Sequence, residues 1–162
     1  MHEMTFRAAT EQDCPLILRF IRGIAAYEKL LDEVVATEEL LQEWIFEEQK
    51  AEVLFVCEDG KEVGFALFFH NFSTFMGRAG LYLEDIFVWP EYRGRGYGKA
   101  LFRKVAGIAV ERGCGRMEWV CLDWNKPSID FYLSMEARPM DEWTIYRLAG
   151  KTLADAAEDS AK

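Results

Sequence analysis

A chain of 162 residues, 51% hydrophobic and 29% charged, has the length of one globular domain and enough apolar matter to bury a core, which excludes disorder throughout. With 19 Lys and Arg against 28 Asp and Glu the formal net charge is −9, which argues against nucleic acid or anionic lipid as a partner and favours cations. Cys14, Cys57, Cys114 and Cys121 form no Cys-x-x-Cys pair and only His2 and His70 could join them, so no metal site is expected and the free thiols suit a reducing cytoplasm.

In chain order, Thr5 to Ala9 reads as a strand. Thr10 with Asp13 marks a helix start, and Leu16, Ile17, Phe20, Ile21, Ile24 and Ala25 follow at helical spacing as far as Leu30. Thr37, with Glu38 and Glu39 in the first turn, starts a second helix whose buried stripe is Leu40, Leu41, Trp44 and Ile45. Val53 to Val56 and Val63 to Phe69 are strands joined by a turn at Glu58-Asp59-Gly60-Lys61. A loop holding Asn71, Ser73 and Gly77 leads into a strand from Leu81 to Val88. The glycine-rich turn Gly94 to Gly98 opens a helix carrying Leu101, Phe102, Val105, Ile108 and Ala109, which ends near Gly113. Met117 to Leu122 is a strand, Pro127 to Met135 a short helix and Thr144 to Leu148 a final strand. Residues 1–150 are expected to form a single domain and residues 151–162, small and polar, a frayed tail. No export signal is expected at the N-terminus, and no apolar run approaches the ~20 residues of a spanning helix. The order of elements predicts one mixed α/β sheet with helices on both faces.

The chemistry concentrates between Leu81 and Gly98. Gly94, Gly96 and Gly98 alternate with larger residues directly before a helix. Glycine takes positive φ and admits close backbone approach, while a helix start exposes N–H groups with partial positive charge, so the pair of features makes a phosphate cradle. Arg93 and Arg95 reverse the local sign of an acidic chain. The spacing fits neither a Walker loop, since Lys99-Ala100 follows, nor a Gly-x-Gly-x-x-Gly dinucleotide turn. In the strand just before it, Glu84 and Asp85 interrupt an apolar run. A carboxylate held in poorly solvated surroundings beside such a cradle is a candidate general base.

Arg93-x-x-Gly96-x-Gly98 after an apolar strand resembles the acyl-CoA motif of the GNAT N-acetyltransferase superfamily. Leu81 to Val88, Pro90 to Gly94, Leu122-Asp123-Trp124-Asn125 and Asp130-Phe131-Tyr132 are similar to the diamine (spermidine/spermine) and thialysine acetyltransferase group, and the likeness runs from Thr5 to Leu148. The stretch from Asn71 to Gly80 departs from that pattern, with Phe75 or Met76 where the group usually has tryptophan.

The resemblance implies a mostly antiparallel central sheet splayed at the cofactor site. It implies that the backbone of Ile86, Phe87 and Val88 pairs with the pantetheine arm of acetyl-CoA. The amides from Arg93 through Gly94, Arg95, Gly96, Tyr97, Gly98 and Lys99 would hold the pyrophosphate, and Asn125 would contact the cofactor. Tyr132 is implied as general acid toward the leaving thiolate. Glu84 is implied as base or water-positioning residue, and Tyr27, Glu28, Asp32, Glu84 and Asp85 as the border of an amine site. The implied activity is transfer of an acetyl group to a primary amine of a small cationic acceptor (polyamine, diamine or lysine- or thialysine-like) by direct attack in a ternary complex, without metal. Acetylation of a protein or peptide, or non-catalytic CoA binding, are the alternatives. Members of the group look dimeric, so a homodimer is expected.

Overall fold

Alternation in the first half of the chain becomes an antiparallel meander in the computed structural model. The described residues, 1–158, group into two units, Met1–Leu122 and Asp123–Lys162, the latter followed as far as residue 158. In the first unit, β1 (Met4–Ala8), β2 (Glu52–Glu58), β3 (Lys61–Ser73) and β4 (Arg78–Val88) pair in sequence order, and β5 (Met117–Glu118) joins β4 in parallel. The β4–β5 crossover runs through helix α3 (Tyr97–Glu111). Helix α1 (Cys14–Tyr27) fills the connection from β1, followed by a short α2 (Glu38–Leu41) that continues as a π-helical turn over Gln42–Glu47.

Strand alternation assigns the faces. Val53, Phe55, Cys57, Phe65 and Phe87 share a core with Cys14, Ile17 and Phe20 of α1 and with Leu41 and Ile45. The residues between them, such as Leu54, Val56, Ala66 and Val88, are buried on the opposite face, where α3 places Tyr97, Leu101, Phe102, Val105 and Ala109. At the centre of the first face, Phe20 is wholly buried, with ring centroids 5.1 Å from Phe65 and 5.0 Å from Trp89. Burial of one such ring contributes roughly 1.5–3 kcal/mol. The expected helix start at Thr10 forms. Asp13 accepts from the Thr10 amide at 2.7 Å and from the Arg7 guanidinium at 2.8 and 3.0 Å, tying β1 to α1. Thr37 caps α2 by accepting from Leu40 N at 3.1 Å.

The second unit carries α4 (Lys126–Ser134) and α5 (Gly150–Ala157). No helix of the described residues is long and apolar enough to cross a membrane.

Several expectations need correction. The loop through Asn71 is instead a continuation of β3 to Ser73, because its backbone keeps pairing with β4 as far as Ser73↔Arg78. The strand expected over Met117 to Leu122 stops at Glu118, where pairing with β4 ends. Thr144 to Leu148 is not a strand. Its residue types suit one, but a strand needs a partner, and Ile145, Tyr146 and Leu148 are exposed. Leu40 and Trp44 are exposed rather than part of a buried stripe: α2 turns Leu41 inward and its neighbour Leu40 out, and the π-helical turn from Gln42 alters the 3.6-residue phase that would bury Trp44. Of the expected C-terminal tail, residues up to Ala157 lie in helix α5, with Lys151 bonded to Asp155 one turn on at 2.6 Å, and residues 159–162 lie outside the described residues.

Candidate active site

Two strands that pair and then part create the first element of the site. β4 and β5 are joined only at Leu81↔Met117 and Tyr82↔Glu118. Beyond Tyr82, β4 keeps β3 on one side through Gly64↔Val88, while its other edge has no strand beside it among the described residues. The bond from Trp89 N to Val63 O at 3.0 Å sets the alternation, so Phe87 turns its backbone groups to β3 while Ile86 and Val88 turn theirs to the free edge. The sheet is splayed as expected.

Directly after β4, a 3₁₀ turn (Pro90–Tyr92) leads to the glycine loop and the start of α3. Gly94 and Gly96 have φ of 78° and 88°, left-handed values that a side chain rarely tolerates. Among the described residues no heavy atom stands within 4 Å of the place a Cβ would occupy at either position. The loop thus has an open outer side, and the first-turn amides of α3 emerge there with the positive end of the helix dipole. These are the properties an anionic diphosphate needs.

The loop's side chains do something different from what their charge implies. The Arg93 guanidinium donates from Nε to the Val88 carbonyl at 2.9 Å and lies 4.8 Å from the Tyr27 ring centroid and 5.1 Å from that of Phe87. It staples the loop to the ends of β4 and α1. Arg95 donates to Glu58 at 2.9 Å, and the Tyr97 hydroxyl donates to the same carboxylate oxygen at 2.5 Å. Gly98 is half-buried and Lys99 exposed.

The acidic side is built by a β-bulge. Phe68 pairs with Leu83 and Leu67 with Asp85, so Glu84 is an extra residue with no opposite number. Plain alternation puts Leu83 and Asp85 on one face. The bulge puts them on opposite faces, with Asp85 on the α1 side beside Leu67 and Glu84 exposed. Burial, then the charges of Glu84 and Glu28, push the Asp85 carboxyl up to about 7. Glu28, just past the end of α1, is also raised, first by burial and then by Glu84. Three carboxylates therefore share one field. Tyr27 lies against Phe87 with centroids 6.5 Å apart. Asp32 is exposed on the 3₁₀ turn Leu31–Glu33 and is not among the charges that shift Asp85 or Glu28.

Gly23 explains how α1 reaches this place, and sequence reasoning missed it. A Cβ there would stand 2.6 Å from the Trp89 ring and 3.0 Å from Phe87. A mid-helix glycine costs roughly 1 kcal/mol in helix propensity, and here it admits the close approach that brings Tyr27 and Glu28 beside β4. Glu58 was also missed, because its place before Asp59-Gly60 reads as hairpin chemistry.

The other two expected residues belong to the second unit. Asn125 is buried and caps α4, accepting from Ser128 N at 3.4 Å, with Pro127 in the first turn. Tyr132 is half-buried on the last turns of α4, its ring edge-to-face with Phe131 at 5.6 Å.

Known proteins share both sequence and fold with this chain. Thialysine N-epsilon-acetyltransferase of Sus scrofa is 39% identical over 169 residues, spanning 97% of this chain and 99% of the relative. L-ornithine N5-acetyltransferase of Arabidopsis thaliana is 32% identical over 193 residues, spanning 91% and 85%. An integron cassette protein from the mobile metagenome of V. cholerae has a similar solved structure, with a TM-score of 0.79 at 27% identity over 96% of this chain and 98% of that one. The model of the acetyltransferase (GNAT) family matches residues 21–136, which include the second half of α1, the bulged β4, the glycine loop and α4. The chain is an acetyl-CoA-dependent N-acetyltransferase and belongs to the GNAT family.

Proposed function

We propose that the protein acetylates a primary amine of a small cationic acceptor, a polyamine, a diamine or a lysine- or thialysine-like molecule, by direct attack in a ternary complex. The observation that carries this reading is the parting of β4 from β5 immediately ahead of a left-handed glycine loop, with coupled carboxylates on the same strand. Similarity to proteins named for thialysine and ornithine acetylation supports the acceptor class.

Acetyl-CoA, when bound, supplies an activated thioester. The free edge at Ile86 and Val88 receives an extended pantetheine arm as an added strand. The amides from Arg93 to Lys99 hold the pyrophosphate, and Asn125 contacts the cofactor. An alkyl ammonium with pKa ~10.4 must lose a proton before its nitrogen can attack. Tyr27, Glu28, Asp32, Glu84 and Asp85 draw the cation in, and Glu84, directly or through water, removes the proton. The Glu84 charge adds to burial in raising the neighbouring Asp85 carboxyl. Tyr132 protonates the departing thiolate. We further propose a homodimer without a resident metal, working in the reducing cytoplasm, which four free cysteines suit.

The experiment is calorimetry with CoA, followed by thiol release from acetyl-CoA with spermidine, thialysine, ornithine and short peptides in parallel. Binding plus turnover of the small amines is the expected result. Turnover of peptides alone would move the protein to the peptide-acetylating alternative, and binding without turnover to a CoA-dependent regulator. Tyr132→Phe should lower kcat by ~10²-fold while leaving CoA affinity intact. An unchanged kcat removes Tyr132 as the acid.

A further inference from the structure

The β2–β3 hairpin grips the glycine loop from the side. Glu58 ends β2, and one of its oxygens accepts from Arg95 at 2.9 Å and from the Tyr97 hydroxyl at 2.5 Å. These donors flank Gly96, whose φ of 88° sets the direction of the loop. The Glu58 side chain is 11% exposed and the Tyr97 residue 4%, while the Arg95 side chain, 47% exposed, closes the cluster on the solvent side. Across the same hairpin, Lys61 sits 5.5 Å from the Tyr92 ring centroid and Arg95 5.4 Å from it. Next to Glu58, Asp59 is fixed by the Glu3 amide at 2.8 Å and His2 at 2.7 Å. Both ends of the hairpin turn are therefore anchored, and the Arg95 charge is committed to Glu58 rather than turned to the open side of the loop.

We propose that Glu58 is a positioning residue for the cofactor loop, fixing Arg95 and Tyr97 on either side of Gly96 so that the loop amides are set for a diphosphate before it arrives. The proposal rests on the reading of that loop as the pyrophosphate cradle. Glu58 acts through its two neighbours and does not itself touch the phosphates. Its benefit is preorganisation, since a loop already ordered loses less freedom on binding.

The test uses the full chain and two donors, acetyl-CoA and S-acetylpantetheine, which lacks the diphosphate. Glu58→Ala removes the acceptor shared by Arg95 and Tyr97 and should raise KM for acetyl-CoA about tenfold, with kcat within about twofold. The kcat/KM for S-acetylpantetheine should stay within about twofold of wild type, which a general loss of structure would not allow. Tyr97→Phe and Glu58→Gln, which keep the packing, should each raise the acetyl-CoA KM about threefold and carry the test if Glu58→Ala does not fold. Amide hydrogen exchange of residues 93–99 without any ligand should quicken in the Glu58 variants. Unchanged KM and exchange overturn the proposal. So does an equal loss with both donors, or a tighter KM, which would mean that Glu58 withholds Arg95 from the phosphates. If wild type binds no CoA while loop exchange still depends on Glu58, the positioning role stands and the functional reading falls.

Discussion

Asp85 stands across from Leu67 on the face that receives α1, and the adjacent Glu84 charge presses on it. Its carboxyl is pushed up to about 7, first by burial, then by Glu84, then by Glu28. The folded state therefore binds a proton that the unfolded state, with an ordinary carboxyl, has already lost. Stability tied to this group is full below the normal carboxylate range and is lost as pH rises through about 7. Asp85→Asn should accordingly raise Tm relative to wild type at about pH 8 more than at about pH 5, measured by thermal denaturation. The same group should appear in kinetics as an acidic limb of kcat/KM with its midpoint near 7. Glu28→Gln leaves the Glu84–Asp85 pair in place but removes one of the charges that raise it. The limb should move to lower pH, and a limb that does not move would show that Glu28 is outside the field.

At the level of elements, the hydrophobic periods of strands and helices carried most of the architecture. The glycine run before α3 marked the loop because Gly94 and Gly96 take the positive φ that other residues resist. What the pattern could not carry were the interruptions of period. The bulge at Glu84 exchanges faces in mid-strand, and nothing local distinguishes an extra residue from a normal one until the partner strand is known. The role of Glu58 was hidden likewise, since its partners are 37 and 39 residues away. The loop-to-helix junction itself can be tested with Gly96→Ala. No atom of the described residues stands within 4 Å of the new Cβ, so the change acts through the positive φ and not through a clash. The left-handed conformation should cost roughly 1–2 kcal/mol of stability. If the loop turns to escape it, one or two charge-assisted bonds from its amides are lost. Calorimetry should then show CoA affinity reduced roughly 10-fold or more, with the helical circular dichroism retained. Full CoA affinity in a folded Gly96→Ala protein would place the phosphates elsewhere.

For the molecule as a whole, the formal charge of −9 acts on both substrates with opposite sign. In the proposed site a cationic acceptor would be attracted by the long-range field and then by Glu28, Glu84 and Asp85, whereas anionic acetyl-CoA would meet repulsion until it reached the helix start and its amides. Salt shortens this field, with a Debye length of roughly 10 Å at 0.1 M and 3 Å at 1 M. Raising salt should therefore lower kcat/KM for the amine, and do so more steeply for trivalent spermidine than for a divalent diamine, because the attraction scales with acceptor charge. The dependence on acetyl-CoA should be flat or rise slightly over the same range, since screening relieves its repulsion while the short bonds at the loop persist. The slopes can be read from initial rates with one substrate saturating. Parallel slopes for the two amines would mean that the acceptor is recognised only by short contacts after arrival, and that the surplus of acidic residues serves solubility rather than capture.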